Sequence, residues 1–211
     1  MTGLEKAIFS RHDKAVLRTL RAATVGVAGA GGLGSNVAIS LARAGVGALI
    51  LADFDKLEPS NLNRQQYAVK QLGLRKVKAL AANLKQIAPF TKVKAHAKKV
   101  TAANLEELFC GADLLVEAFD RAGEKGMLIN AWLQLHPDRP IIAASGLAGY
   151  GGNSKLKTRR MGNLYICGDG ESQCPPGVSP MAPRVALVAA MQANLAVELL
   201  MKTKGKKHVQ S

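Results

Sequence analysis

At 211 residues the chain is long for one domain and short for two, so one α/β domain spanning 1–211 is expected. Hydrophobic residues make up 48% and aromatics 4%, which allows a large core but excludes an aromatic-rich one; Ala, Val, Leu and Ile must build it. A formal charge of +14 fits either a solvated basic surface or attraction to an acidic protein or RNA, and charge alone does not choose.

Uninterrupted apolar runs of about 6–9 residues are too short for a membrane span, so no membrane partner is expected. The start, Met1 to Lys6, lacks a signal-peptide layout, and the expectation is a soluble cytoplasmic protein. Cys110, Cys167 and Cys174 are an odd set without framework spacing, which argues against a disulfide scaffold. With no Cys-x-x-Cys pair, no zinc site is expected.

In chain order, residues 1–22 predict an N-terminal helical arm of one or two amphipathic turns. Thr24–Ala28 reads as a strand buried on both faces, followed by glycines and a helix over Ser35–Ala44 that Gly45 would cap. Ala48–Ala52 is a second strand ending at Asp53. Ser60–Tyr67 reads as a loop or short helix with Ser60 at its N-cap, and Arg75–Ile87 as a helix stopped by Pro89. Lys92–His96, Asp113–Ala118 and Pro140–Ala144 read as strands, with a short helix over Asn104–Phe109, capped by Thr101, and a longer one over Arg121–Leu135. The alternation predicts an α/β, doubly wound, mostly parallel sheet with a Rossmann-like nucleotide-binding half. Beyond Ser145 the pattern changes: Gly146–Gly152 is glycine-rich, Lys155–Arg160 is basic, and Asn163–Cys167 suits a strand. Residues 168–183 predict a long mobile crossing loop before a C-terminal helix over Arg184–Met201 and a basic tail over 203–211.

The chemistry begins at Gly29-x-Gly31-x-x-Gly34, which sits between a strand and a helix as a dinucleotide fingerprint requires. Gly29 permits the turn, Gly31 lets backbone approach a phosphate, and Gly34 allows helix and strand to pack closely. Gly32 adds a further bare position. Asp53, 19 residues after Gly34, stands where a carboxylate accepts hydrogen bonds from a ribose. These residues indicate a nucleotide without choosing one. A dehydrogenase would need a further substrate domain, for which about 65 residues remain, and would leave Asn61, Arg64 and Lys76 unemployed. Two cations shortly after the ribose strand suit a triphosphate, whose charge they would neutralise.

Val27 to Asn36, Asp53-Phe54-Asp55, Pro59-Ser60-Asn61-Leu62-Asn63-Arg64-Gln65-Gln66, Gly73 to Val77 and Glu117-Ala118-Phe119-Asp120 together resemble the E1-like superfamily (ThiF/MoeB/HesA). Ala143 to Tyr150 and Met181 to Val185 resemble its short ThiF branch, adenylyltransferases of the thiamine sulfur carrier ThiS. The resemblance implies ATP and Mg²⁺, with Gly31 and Gly32 against the phosphates and Asp53 on the ribose. Asn61 and Arg64 would contact phosphates in a loop shaped by Ser60 to Asn63. Lys76 would neutralise the α- and β-phosphates, and Asp120 would hold Mg²⁺. It further implies a homodimer, a ubiquitin-like sulfur carrier with a Gly-Gly terminus as partner, Arg11 reaching the neighbouring subunit's ATP, and Cys174 meeting the activated carrier. Arg121 departs from the family's usual asparagine or aspartate after the metal-binding Asp.

Each residue also has a plainer reading. Arg64 and Lys76 could be helix-surface cations, Asp120 a helix cap, and Asp55 and Glu58 solvated turn residues. Arg11 could be an ordinary surface arginine. Cys174, in a mobile loop near Arg159, Arg160 and Arg184, could have a lowered pKa or could equally be an incidental loop cysteine. Cys110 and Cys167 read as small apolar fillers. The alternative substrate class is a tRNA base carboxylate, motivated by the +14 charge.

Overall fold

Thr24–Ala28 (β1) and Ala48–Ala52 (β2) pair in parallel, register Thr24 with Ala48, and both are buried along four of five residues as apolar runs in a parallel sheet should be. The structure, a computed structural model, describes residues 2–175 and 177–204. Its sheet has seven strands in the order β3-β2-β1-β4-β5-β7-β6, with Lys92–His96 (β3), Leu114–Glu117 (β4), Ile141–Ala144 (β5), Lys157–Met161 (β6) and Leu164–Gly168 (β7). All neighbours run parallel except β6 against β7. The order reverses between β1 and β4, the position at which doubly wound sheets bind ligands.

On one face of the sheet lie Lys14–Arg21 (α2), Gly32–Ala44 (α3), Lys76–Ile87 (α4) and Ala182–Lys204 (α7), joined in a core of small aliphatics. Leu105–Phe109 (α5) and Ala122–Leu135 (α6) cover the other face, where Phe109 and Trp132 are fully buried. The remaining helix, Gly3–Ile8 (α1), is tied down by Arg21, whose guanidinium pairs with Glu5 and lies against the rings of Phe9 and Phe90. The N-terminal arm is therefore two short helices docked by a cation between aromatics.

Several expectations need correction. The helix after β1 begins at Gly32, inside the glycine fingerprint, because Gly31 rather than Ser35 breaks from helical geometry. Pro59–Asn61 forms a 3-10 turn whose N-cap is Glu58, its N–H bonded to Asn61 Oδ1 at 3.1 Å, so Ser60 is not the cap. Thr101 stands at an N-cap, yet there the bond runs from its backbone N–H to Asn104 Oδ1 at 2.8 Å. Arg121, not Asp120, occupies the N-cap of α6.

The basic stretch 157–161 is a strand, exposed along its whole length as the sheet's edge. The helix α7 starts two residues early and carries Lys202 and Thr203 within it; of the basic tail, 205–211 lie outside the described residues. Ala182–Thr203 is also long and apolar enough to cross a membrane by length and composition, which counting uninterrupted runs overlooked. In this fold its buried face, Val185, Val188, Ala189, Ala193, Ala196 and Leu200, packs within the main core. Buried Gln192 adds hydrogen bonds from Nε2 to the carbonyls of Glu117 and Ile142, pinning α7 across β4 and β5.

Candidate active site

A cleft of about 760 Å³ opens at the carboxyl ends of β1, β2 and β4. Gly29 turns the chain out of β1 at φ 99°, and a Cβ at Gly34 would collide with the Gly29 carbonyl, so these two glycines are required by the protein's own packing. Gly31 differs. The nearest atom to a Cβ there would be Gln65 Nε2 at 3.8 Å, so the bare position opens onto space that protein does not fill. Gly31 is the N-cap of α3 without any side-chain cap, which leaves the helix's first N–H groups for an incoming anion.

Asp53 joins β2 to this turn. Its Oδ2 accepts from the Ala30 N–H at 2.7 Å and its Oδ1 from the Asp55 N–H at 2.7 Å. Burial raises the Asp53 carboxyl above the ordinary aspartate range, opposed by those two N–H groups and by the charge of Lys76. Tyr67, its hydroxyl donating to the Ala30 carbonyl at 2.6 Å, backs the turn, and burial pushes its phenol upward.

The loop 59–67 docks on α3 through Ser35, whose Oγ accepts from the Gln66 N–H at 3.1 Å, and through Gln66 Nε2 donating to Asn36 Oδ1 at 2.7 Å. Arg64 thereby reaches the cleft, its Nη1 donating to the Ser60 carbonyl (3.1 Å), Asn63 Oδ1 (2.9 Å) and Ser179 Oγ (3.3 Å). Ser60, Asn61 and Asn63 build this loop and do not themselves line the main cleft; Asn63 borders a second depression, between this loop and the start of α7. Lys76, at the start of α4, is buried, with Nζ 2.8 Å from Asp55 Oδ2. A surface-cation reading therefore does not describe Lys76, nor a merely solvated one Asp55.

Across the cleft, Asp120 is exposed on the turn after β4. Beneath it Glu117 is fully buried and receives Lys125 Nζ at 3.0 and 2.8 Å and the Phe119 N–H at 2.6 Å. Burial raises the Glu117 carboxyl while Lys125 pulls it back. Among the described residues no three His, Cys, Asp or Glu side chains converge as a metal cage. One open carboxylate beside an anion-binding helix end still suits Mg²⁺, which is commonly held by one or two carboxylates plus phosphate oxygens and water.

The remaining wall is the segment 144–148 and the loop residues 172–174 and 178–180. Both are anchored by Asp169, which accepts N–H bonds from Glu171 and Ser172 at 2.8 Å and pairs with buried Arg184 at 2.7 Å. Arg184 also donates to the Gly151 carbonyl, and Arg159 to the Asp169 carbonyl at 2.8 Å. Burial works to raise the Asp169 carboxyl; the Ser172 and Glu171 N–H groups and Arg184 outweigh it and hold it well below the usual range. Cys174 lines the cleft, half-buried. The arginines expected to act on it are engaged elsewhere, Arg159 and Arg184 with Asp169 and Arg160 with the Gly162 carbonyl and the Tyr165 ring. Cys167 is a buried filler as expected, with its thiol pushed up by burial, whereas Cys110 is exposed and fills nothing. Arg11 lies exposed in the turn between α1 and α2 and does not line its own chain's cleft.

The structure thus brings Gly31, Gly32, Asp53, Arg64, Lys76, Asp120 and Cys174 to one cleft. The expected set omitted Asp55, Lys98, Lys99 and Lys125. Lys125 was accessible to a helical-wheel argument, being one turn beyond Arg121 on α6.

A model of the ThiF family matches residues 4–211. The chain belongs to the ThiF family. It is an E1-like domain. It is 30% identical over 196 residues to the adenylyltransferase and sulfurtransferase uba4 of Pyricularia oryzae, covering 86% of this chain and 39% of that protein. It is 36% identical over 146 residues to the tRNA threonylcarbamoyladenosine dehydratase of Bacillus subtilis, covering 66% and 57%. The chain spans about two fifths of the length of the uba4 relative. In fold it matches the E. coli tRNA N6-threonylcarbamoyladenosine dehydratase TcdA in complex with ATP, with a TM-score of 0.86 at 21% identity over 97% of this chain and 98% of that one. The ThiF-family fold seen here is the doubly wound, mostly parallel sheet expected of the sequence.

Proposed function

We propose that this ThiF-family chain uses ATP to adenylate a carboxylate, and that the carboxylate is the C-terminal glycine of a ubiquitin-like, ThiS-like sulfur carrier in thiamine biosynthesis. The observation that carries the reading is the cleft itself. An uncapped helix N-terminus with an unfilled glycine position faces two cations, Arg64 and Lys76, with the ribose-acceptor candidate Asp53 beside them. In the reaction a carboxylate oxygen attacks the α-phosphorus, the bond from that phosphorus to the bridging oxygen breaks, and pyrophosphate leaves with the electron pair. A carboxylate is already ionised at neutral pH, so no general base is required, and positioning with cationic stabilisation does the work. Arg64 and Lys76 would neutralise charge on the phosphates, and Asp53 would orient the nucleoside. Asp120 would hold Mg²⁺, whose contribution when bound is to screen the phosphate oxygens.

Carrier-dependent exchange of labelled pyrophosphate into ATP tests the reading, and no exchange with any Gly-Gly carrier would sink its substrate half. The reading places the protein in the cytoplasm as a homodimer, with Arg11 serving the partner's site. Exposed Met181 and Leu187, at and near the start of α7, are candidates for that contact, and sedimentation equilibrium decides the assembly state. A second reading, a tRNA base carboxylate as substrate, is favoured by one feature: Lys98 and Lys99 line the cleft and continue into exposed Lys92 and Lys94 on the edge strand. Retardation of tRNA that falls steeply with salt would support it over the carrier.

A further inference from the structure

Lys76 is paired with one carboxylate, Asp55, and acts by its charge on a second, Asp53. The Lys76 ammonium is 2.8 Å from Asp55 Oδ2, and the Lys76 backbone N–H donates to the Asp55 carbonyl at 2.9 Å. Lys56 and Arg75 form a backbone bridge beside this pair, and Arg75 donates to the Phe54 carbonyl, so the turn Asp53-Phe54-Asp55 is clasped to the start of α4. Asp55 in turn donates its N–H to Asp53 Oδ1 at 2.7 Å. Lys76 exposes only 7% of its surface, and its charge acts on Asp53 as well as on Asp55. A buried ammonium takes an anionic partner, because leaving it unpaired is unfavourable.

We propose that Asp55 is a positioning residue that partitions the charges of the cleft. By taking Lys76 as its ion partner, it keeps the ammonium off Asp53, so that Asp53 keeps its free lone pairs for a ribose and Lys76 stays at the wall where phosphates would sit. This rests on the nucleotide reading of the cleft and adds a residue that the adenylation scheme leaves unused. With Asp55 neutralised, Asp53 becomes the anion Lys76 turns to, and one misplaced cation spoils two subsites at once.

The distinguishing ligand is adenosine, which has the ribose and no phosphate. If Asp55 served only to orient Lys76 towards phosphate, its loss would weaken ATP binding and leave adenosine untouched. Calorimetric or NMR titration of the full chain with ATP and with adenosine is the test, on wild type, Asp55→Asn, Asp55→Glu and the double variant Asp55→Asn/Lys76→Met. Asp55→Asn is expected to weaken both ligands, adenosine by about tenfold, the worth of one charge-assisted hydrogen bond. The double variant is expected to restore adenosine to within about threefold of wild type while ATP stays weak, since the competing cation is gone. Asp55→Glu, which keeps the charge on a half-exposed side chain, should bind adenosine within about threefold of wild type and covers the case in which the Asn variant does not fold. Unchanged adenosine affinity in Asp55→Asn, failure of the double variant to restore it, or loss of adenosine binding in Asp55→Glu each overturns the partition. Wild type that binds neither ATP nor adenosine overturns the nucleotide reading itself, a different outcome from any of these.

Discussion

The two walls of the cleft are built on different principles. The first, residues 24–120, rests on strands buried on both faces and on glycines whose positions are dictated by contact with neighbouring backbone. The second, residues 145–175 and 177–184, sets the β6–β7 hairpin among irregular segments and is held by one buried ion pair, Asp169 with Arg184, around which a glycine loop, the edge strand and the start of α7 gather. The first wall puts its polar groups where a ligand can use them; the second spends its polar groups on itself. That difference says which wall supplies chemistry and which supplies shape.

The largest effect that sharpens the contrast is on the first wall. Lys76→Ala is expected to lower carrier-dependent pyrophosphate exchange by about 100- to 1000-fold, the scale of losing one preorganised charge contact in a transition state. Circular dichroism should show the fold intact. Turnover within tenfold of wild type would remove Lys76 from the machinery. On the second wall the large effect is on stability instead. Asp169→Ala leaves Arg184 buried and unpaired and should cost about 3 kcal/mol by urea unfolding. Its pH dependence has a definite sign. Because the folded Asp169 carboxyl is depressed, its ionisation contributes fully above the ordinary value of 3.8 and is lost as pH falls below that towards the folded value. Asp53 and Glu117, both raised by burial, work the other way. Their contribution is fully present below the ordinary carboxyl values and is lost as pH rises through their elevated folded ones. Acid should therefore loosen the second wall before the first, and hydrogen exchange followed from about pH 5 down to about pH 2 can see which opens earlier.

The same contrast explains what the sequence made legible. β1 and β2 were readable to the residue, since aliphatic runs between turn residues leave few alternatives, and β3 was readable from the alternation of Lys92 and Lys94 with Val93 and Ala95. β6 was not, because an edge strand exposed on both faces, Lys157-Thr158-Arg159-Arg160-Met161, carries no burial period for a pattern to find. Of the residues singled out in the sequence, Gly31, Asp53 and Arg64 do line the cleft. Asp55 escaped because its ion partner, Lys76, lies 21 residues away, and the helix caps at Ser60 and Asp120 went wrong because side-chain capping competes with loop bonds that spacing does not reveal.

A smaller effect separates packing from ligand space within the glycine turn. Gly31→Ala meets no protein atom closer than ordinary contact, so stability should change by less than about 0.5 kcal/mol. A methyl group placed where a phosphate would approach should nevertheless weaken ATP binding by about tenfold or more, the penalty of a steric intrusion near 1.4 kcal/mol. Equal losses of ATP affinity and stability would mean that Gly31 serves the fold, as Gly34 does.

The smallest effect belongs to Cys174. The thiol is half-buried on the second wall, and Arg159, Arg160 and Arg184 are engaged by Asp169, by the Gly162 carbonyl and by the Tyr165 ring. Adenylation as written needs no thiol, since the carboxylate is the nucleophile and pyrophosphate leaves unprotonated by the protein. Cys174→Ser should accordingly leave exchange within about twofold and stability within about 0.5 kcal/mol, the range of substitutions remote from strain and burial. A tenfold fall in exchange would place the thiol against the reacting atoms and would mean that the second wall supplies chemistry after all. Unchanged exchange, together with a carrier adduct that mass spectrometry finds in wild type and not in Cys174→Ser, would divide the cleft in time: adenylation on the first wall, capture of the activated carrier on the second.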